Sequence, residues 1–163
     1  MPASKIAVIT GANRGIGLEL ARQFAGRDYS VIGVCRESSE ELDAIAAQVI
    51  DRIDVTSETD VRTLARKLSD TTIDLLINNA GLLQDEKLGS IDIDSIRTQM
   101  EINAYAPLRI VEALVSQIPE GGKIANITSR MGSIADNDSG GRYGYRASKA
   151  ALNAFGKSLA MDL

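Results

Sequence analysis

The chain is 163 residues long, 44% apolar and 25% charged, which supplies enough apolar material for one packed core and rules out wholesale disorder. Its 18 Lys and Arg against 22 Asp and Glu leave a net charge of −4, so the chain as a whole has no electrostatic footing on nucleic acid or anionic lipid. With no His and one Cys, a Ser-His-Asp triad, a His-bearing metal site and an internal disulfide framework are excluded.

Residues 1–5 lead into a short apolar run that breaks at Thr10 and Gly11, which does not read as a signal peptide. No apolar stretch approaches the roughly 20 residues needed to cross a bilayer. A soluble cytoplasmic protein is the expectation, with neither nucleic acid nor membrane as partner.

Short apolar, β-branched runs at 5–9, 29–35, 49–53, 73–77 and 123–128 predict five strands. Their apolar character is continuous rather than alternating, which suits a parallel sheet covered on both faces. Between them lie amphipathic stretches. Ile16, Leu20 and Phe24 fall at four-residue spacing, with Ala21 and Ala25 extending that surface. A short helix is predicted over 39–47. Thr56 or Ser57 caps the next, whose inner face is Val61, Leu64, Ala65 and Leu68. A longer helix runs from Asp94 or Ser95 to Gln117, on a stripe of Ile96, Met100, Asn103 or Ala104, Leu108, Val111 and Val115, with a bend at Pro107. A last helix starts near Gly144 and continues to the end of the chain. This alternation predicts an α/β fold, a doubly wound parallel sheet in a three-layer sandwich, as one domain over 1–163. Residues 132–141 read as a surface loop beside the site.

The first strand–helix junction carries Thr-Gly-Ala-Asn-Arg-Gly-Ile-Gly over residues 10–17. Glycine permits a tight turn and lets backbone amides approach a pyrophosphate, which the following helix N-terminus attracts. No Gly-Lys-Ser/Thr ending is present, which disfavours an ATPase or GTPase loop. The second strand ends in Cys35 and Arg36, where a carboxylate would select an unphosphorylated ribose and a guanidinium a 2′-phosphate. Arg14 could approach the same phosphate. NADP(H) is therefore the preferred cofactor and NAD(H) the second option; the alternative is that both arginines simply face solvent.

Tyr145 and Lys149, at i and i+4, share a helix face. A fixed ammonium favours the phenolate and brings the Tyr proton nearer to use at neutral pH. Ser129, just after the fifth strand, offers a second hydroxyl to a substrate carbonyl. Such a pair alone says little. Taken with residues 10–17, Asp54-Val55, Asn-Asn-Ala-Gly at 78–81, Asn103, Ser129 and Tyr-Arg-Ala-Ser-Lys at 145–149, however, the chain closely resembles the short-chain dehydrogenase/reductase family.

That resemblance spans nearly the whole chain and implies a distinct role for each matched residue. By it, Gly11, Arg14, Gly15, Ile16 and Gly17 line the cofactor phosphates, and Cys35 and Arg36 occupy the ribose-selecting region. Asp54 hydrogen-bonds adenine with Val55 packed beside it, while Asn79, Ala80 and Gly81 border the cofactor. Ser129 and Tyr145 act on the substrate oxygen. Lys149 holds the nicotinamide ribose and acts on Tyr145, and Asn103 holds water in a relay to Lys149; as a plain helix residue Asn103 would instead bond nearby backbone. The reaction the family resemblance implies is hydride transfer between nicotinamide and a small carbonyl or alcohol compound, with no metal, in a dimer or tetramer. Sixteen positions separate Ser129 from Tyr145, a long interval that resembles the branch of carbonyl reductases and C-factor-like proteins. Ser133 is a rival for the hydroxyl role. Members of the family continue beyond a point equivalent to Leu163 with another strand and a substrate loop. The expectation is thus of a shortened chain with an open edge at the fifth strand, in which adenosine recognition outlasts turnover. A nucleotide-binding regulatory or signalling protein of the same fold is the alternative function.

Overall fold

The computed structural model describes residues 5–163, so the reading of residues 1–4 lies outside the described residues. Five strands form one sheet in the order β3-β2-β1-β4-β5. They are β1 (Lys5–Thr10), β2 (Tyr29–Val34), β3 (Gln48–Ile50), β4 (Leu75–Asn78) and β5 (Lys123–Asn126). β1 pairs in parallel with β2 and β4, and β2 with β3. The order steps outward from β1 in both directions, as parallel strands joined by crossover helices require. Ala7, Val8, Ile9 and Leu76 are fully buried, which is why these runs are apolar at every position.

The helices are α1 (Gly15–Ala25), α2 (Glu40–Ile45), α3 (Glu58–Lys67), α4 (Ile93–Met100), α5 (Ala106–Leu114) and α6 (Tyr143–Asp162). Ser39 caps α2 through the Leu42 amide, and Ser57 caps α3 through the Asp60 amide. Val61, Leu64 and Leu68 form the buried face of α3, as their spacing predicts. The chain divides into two compact units. The first holds residues up to Ala80 with Arg109–Ala125, and the second holds Gly81–Leu108 with Asn126–Leu163.

Four expectations are corrected. Ile16 is 65% exposed, so α1 buries Gly17 and Ala21 instead. β3 ends at Ile50 because Arg52 adopts φ 57°, although the Ile53 amide still reaches the Cys35 carbonyl at 3.1 Å. β5 ends at Asn126; beyond it the chain turns to α6, where the Ile127 carbonyl accepts from Lys149 Nζ at 2.7 Å and Thr128 Oγ1 donates to Asn153 Oδ1 at 2.6 Å. The long helix begins earlier, capped by Asp92, and is interrupted by a π-helical turn at Glu101–Tyr105 before it resumes as α5. Pro107 has no N–H to offer the Asn103 carbonyl at α spacing, and the wider turn lies immediately before it. The extra residue shifts the helix phase, so Ile110, Val111 and Leu114 are buried while Val115 is 36% exposed.

Candidate functional site

In the first unit, β1 ends in a turn held from two sides. Thr10 Oγ1 accepts from the amides of Asn79 (3.0 Å) and Ala80 (3.1 Å). Asn79 Nδ2 in turn donates to the carbonyls of Thr10 (3.0 Å) and Gly11 (3.1 Å). The Gly11 amide donates to the Val34 carbonyl at 2.8 Å, tying the turn to the end of β2. Gly11 and Gly15 sit at φ 65° and 57°, a region that costs side-chain-bearing residues about 1 kcal/mol or more. A Cβ at Gly17 would stand 2.1 Å from the Gly11 carbonyl oxygen, whereas one at Gly15 would meet nothing within 4 Å.

Bare backbone with open space above it, at the N-terminus of an 11-residue helix lacking a first-turn acid, fits a phosphate group. Arg14 occupies the N-cap position and is exposed. The exposed Ile16 adds an apolar surface to the same turn. These residues fit a dinucleotide pyrophosphate on their own geometry.

At the end of β2, Cys35 is 4% exposed. Burial, together with the negative charges of Asp51 and Asp43, pushes its thiol up to about 11. The thiol belongs to the core, and the exposed Arg36 is what this strand end presents. Asp54 Oδ1 accepts from the Thr56 amide (2.9 Å) and hydroxyl (2.7 Å). The Thr56 amide bond holds its carboxyl below the ordinary value against the effect of burial, aided by the Thr56 hydroxyl and the charge of Arg36. One oxygen of Asp54 is thus committed within its own loop. The Val55 carbonyl accepts from the Arg109 guanidinium at 3.4 Å, and Gly81 opens the second unit.

In the second unit, α6 brings Tyr145 and Lys149 together. Lys149 is 5% exposed, and its Nζ lies 5.8 Å from the centroid of the Tyr145 ring. Burial lowers the Lys149 pKa from 10.5. Ser129 caps the 3-10 turn Arg130–Gly132, its Oγ accepting from the Met131 amide at 3.1 Å. Among the described residues Ser129 Oγ takes no acceptor, so its hydrogen is free for a carbonyl oxygen. A Cβ at Gly132 would come within 2.9 Å of the Lys149 backbone, so the turn bearing Ser129 packs directly on α6. Ser133, the rival hydroxyl, is exposed on the loop after that turn.

Asn103 is 1% exposed and its amide is fully engaged. Its Oδ1 accepts from the Leu82 amide at 2.7 Å, and its Nδ2 donates to the Leu82 carbonyl (2.7 Å) and Ser148 Oγ (3.0 Å). Its side chain thus bonds the Leu82 backbone and Ser148, in line with the plain helix-residue reading of Asn103.

Sequence reasoning missed Glu86 and Gln99. Glu86 is 3% exposed and Gln99 fully buried. Glu86 Oε1 accepts from Ser95 Oγ and Gln99 Nε2, both at 2.5 Å, and Oε2 accepts from the Gly144 amide at 3.0 Å. Burial raises the Glu86 carboxyl, but donors from Ser95, Gly144 and Gln99 outweigh it and hold the pKa below the ordinary carboxylate value. A signal was present in the sequence. Ser95, Gln99 and Asn103 recur every four residues, a polar row on a helix face that an apolar stripe analysis passes over.

A family model for short chain dehydrogenases matches residues 5–163. The 1-hydroxy-2-glutathionyl-2-methyl-3-butene dehydrogenase of Rhodococcus sp. strain AD45 is 40% identical over 158 residues, covering 96% of this chain and 70% of that protein. The C-signal protein of Myxococcus xanthus is 41% identical over 106 residues, 63% of this chain and 64% of its own. The crystal structure of a carbonyl reductase from Pseudomonas aeruginosa PAO1 in complex with NADP is 34% identical, covers 98% of this chain and 74% of that one, and superposes with a TM-score of 0.87. The chain thus spans 64% to 74% of the length of these three proteins. The glycine turn, the Ser129, Tyr145 and Lys149 set and the whole-length match agree, and the chain belongs to the short-chain dehydrogenase family.

Proposed function

We propose that the chain is an NADP(H)-dependent oxidoreductase that interconverts a small carbonyl compound and its alcohol. The observation that carries this reading is the buried Lys149 ammonium 5.8 Å from the Tyr145 ring centroid. A fixed cation beside a phenol favours the negative charge that develops on its oxygen as the proton passes to a substrate.

When bound, a nicotinamide would supply the hydride in reduction and take it up in oxidation. In reduction, Ser129 donates a hydrogen bond to the substrate oxygen and Tyr145 transfers its proton there as negative charge develops. Lys149 would stand as a fixed cation beside Tyr145 and the nicotinamide ribose, with Asn103 as its link towards solvent, the role that family resemblance gives it. Gly11, Arg14, Gly15, Ile16 and Gly17 would hold the pyrophosphate. Arg36 would pair with a 2′-phosphate, with Asp54, Val55, Asn79, Ala80 and Gly81 around the adenosine and nicotinamide. The bound NADP in the similar Pseudomonas carbonyl reductase supports the cofactor choice. A cytoplasmic, self-associating dimer or tetramer completes the reading, on the strength of family resemblance.

NADPH loss over a panel of small carbonyl compounds tests it. Tyr145→Phe is expected to lower turnover by about 10²–10⁴-fold while NADPH binding persists. Arg36→Ala should weaken NADPH by roughly 10-fold or more and leave NADH nearly unchanged. Undiminished turnover in the Phe variant would remove Tyr145 from the chemistry, and equal effects on both nucleotides would remove Arg36 from phosphate recognition. The similarity to the C-signal protein supports a second reading, a nucleotide-binding signalling protein. NADPH binding without turnover on any carbonyl tested, in a chain extended to its relatives' length, would favour that alternative.

A further inference from the structure

We propose that Glu86 is a positioning residue for the reaction: it caps the N-terminus of α6 from a distant loop and so fixes the turn that carries Tyr145. The inference rests on the oxidoreductase reading for its catalytic consequence and on geometry alone for the cap.

The first turn of a helix leaves its amides without partners, and a Ser, Thr, Asp or Asn in extended conformation at the N-cap ordinarily answers one of them. α6 has no such residue. Its N-cap is Arg142, in the left-handed region at φ 50° and ψ 44°, and no side-chain cap bond comes from it among the described residues. An arginine carries donors only and could not answer an amide in any conformation.

Glu86 takes over that role from 58 positions away. Its Oε2 accepts from the Gly144 amide at 3.0 Å, and its main-chain carbonyl accepts from the Arg142 amide at 2.9 Å. One residue thus holds both the left-handed residue and the helix amide two positions on. Asp85 braces the same segment, with Arg142 Nε 3.6 Å from its carboxylate. The Glu86 carboxylate is itself fixed by Ser95 and Gln99 of α4, and Gln99 Oε1 is fixed in turn by the Gln84 amide at 3.0 Å.

The fit leaves no slack. A Cβ at Gly144 would lie 2.6 Å from Gln99 Nε2 and 3.0 Å from the Ile96 Cα, so only glycine brings this amide to the carboxylate with α4 so close. The anion also sits at the positive end of a 20-residue helix. Tyr145 follows Gly144 directly. The peptide Glu86 holds is therefore next to the one that aims the phenol, and a displacement of about 1 Å at a reacting group can cost about 100-fold in rate.

The test uses the whole chain with NADPH and compares wild type, Glu86→Leu and Glu86→Gln. Peptide-resolved amide exchange is read over residues 142–149 and, as internal reference, over 153–162; kcat and KM are measured in parallel. In Glu86→Leu, exchange at 142–149 should rise about 10-fold or more against the reference, and kcat should fall about 10- to 100-fold with KM for NADPH within about threefold. Gln retains a carbonyl oxygen for Gly144 but offers an amide where the carboxylate accepted two donors. Its exchange and kcat should therefore lie between wild type and Leu.

Unchanged exchange at 142–149 in the Leu variant overturns the proposal, as does faster exchange with full kcat in an active enzyme. Should the Leu variant fail to fold, the Gln variant decides, since exchange identical to wild type would overturn it. Exchange needs no turnover. A wild type that binds no NADPH, or that reduces no carbonyl even when extended to its relatives' length, would defeat the oxidoreductase reading, while the exchange comparison would still decide the cap.

Discussion

Lys149 is held almost out of water, with its ammonium on the Ile127 carbonyl at 2.7 Å. Burial lowers its pKa from 10.5, so the folded state releases this proton at a lower pH than the unfolded chain. Between those two values the unfolded chain binds more protons, and stability rises with pH through that window. Below the window the destabilisation is present in full. Without cofactor, the wild type should therefore gain stability relative to Lys149→Met as pH is raised from about 7 to about 10. Denaturant midpoints of the two proteins across that range would check this; a constant or widening deficit of the wild type would contradict it. At this scale the sequence was readable where a residue belongs to a spaced set. Tyr145, Lys149 and Ser129 stood out by their motif and order. Glu86 sits in the run Gln84, Asp85, Glu86 and Lys87, which looks like a wet loop, and its burial depends on donors 9 to 58 positions away. No local pattern encodes that distance.

Elements with one strong periodicity were legible, and those with competing constraints were not. α3 buried its predicted face because a cap and a clean stripe agreed. The long helix did so only in part: Asn103, Ala104 and Val111 are buried, but after the π turn before Pro107, Ile110 and Leu114 join the buried face and Val115 leaves it. α1 shows another limit. Ile16 fits the apolar spacing, yet the junction needs Gly17 against β1 and turns Ile16 outward. That junction tolerates no added atom, since a Cβ at Gly17 would meet the Gly11 backbone oxygen at 2.1 Å and Asn79 Nδ2 at 2.4 Å. Gly17→Ala is therefore expected to cost about 1–3 kcal/mol of stability and to weaken NADPH binding by more than 10-fold. Urea denaturation and nicotinamide fluorescence titration would measure the two effects. Normal binding in this variant would mean that the turn can relax without consequence.

For the molecule as a whole, the doubly wound parallel sheet followed from continuous apolar runs alternating with helices, whereas the order β3-β2-β1-β4-β5 was not read from the sequence. The division into two compact units had no such signature, since each unit is assembled from separated stretches of chain. Ligand linkage gives a measurement at this scale. A nucleotide that binds the folded chain alone should raise its stability by about 2.7 kcal/mol at a concentration 100 times its dissociation constant. At equal concentrations NADPH should raise the unfolding midpoint more than NADH, the difference arising from Arg36. Equal shifts, or none with either nucleotide, would count against the cofactor assignment.

Cys35 has a practical consequence. It is the one cysteine in the sequence, it is 4% exposed, and burial pushes its thiol up to about 11. At pH 7.5 very little of it is the thiolate that maleimides attack. The folded protein thus offers a silent background for labelling. A cysteine introduced at an exposed position such as Ser139 would carry a fluorophore by itself, and motion of the loop before α6 could be followed without first removing the native sulfur.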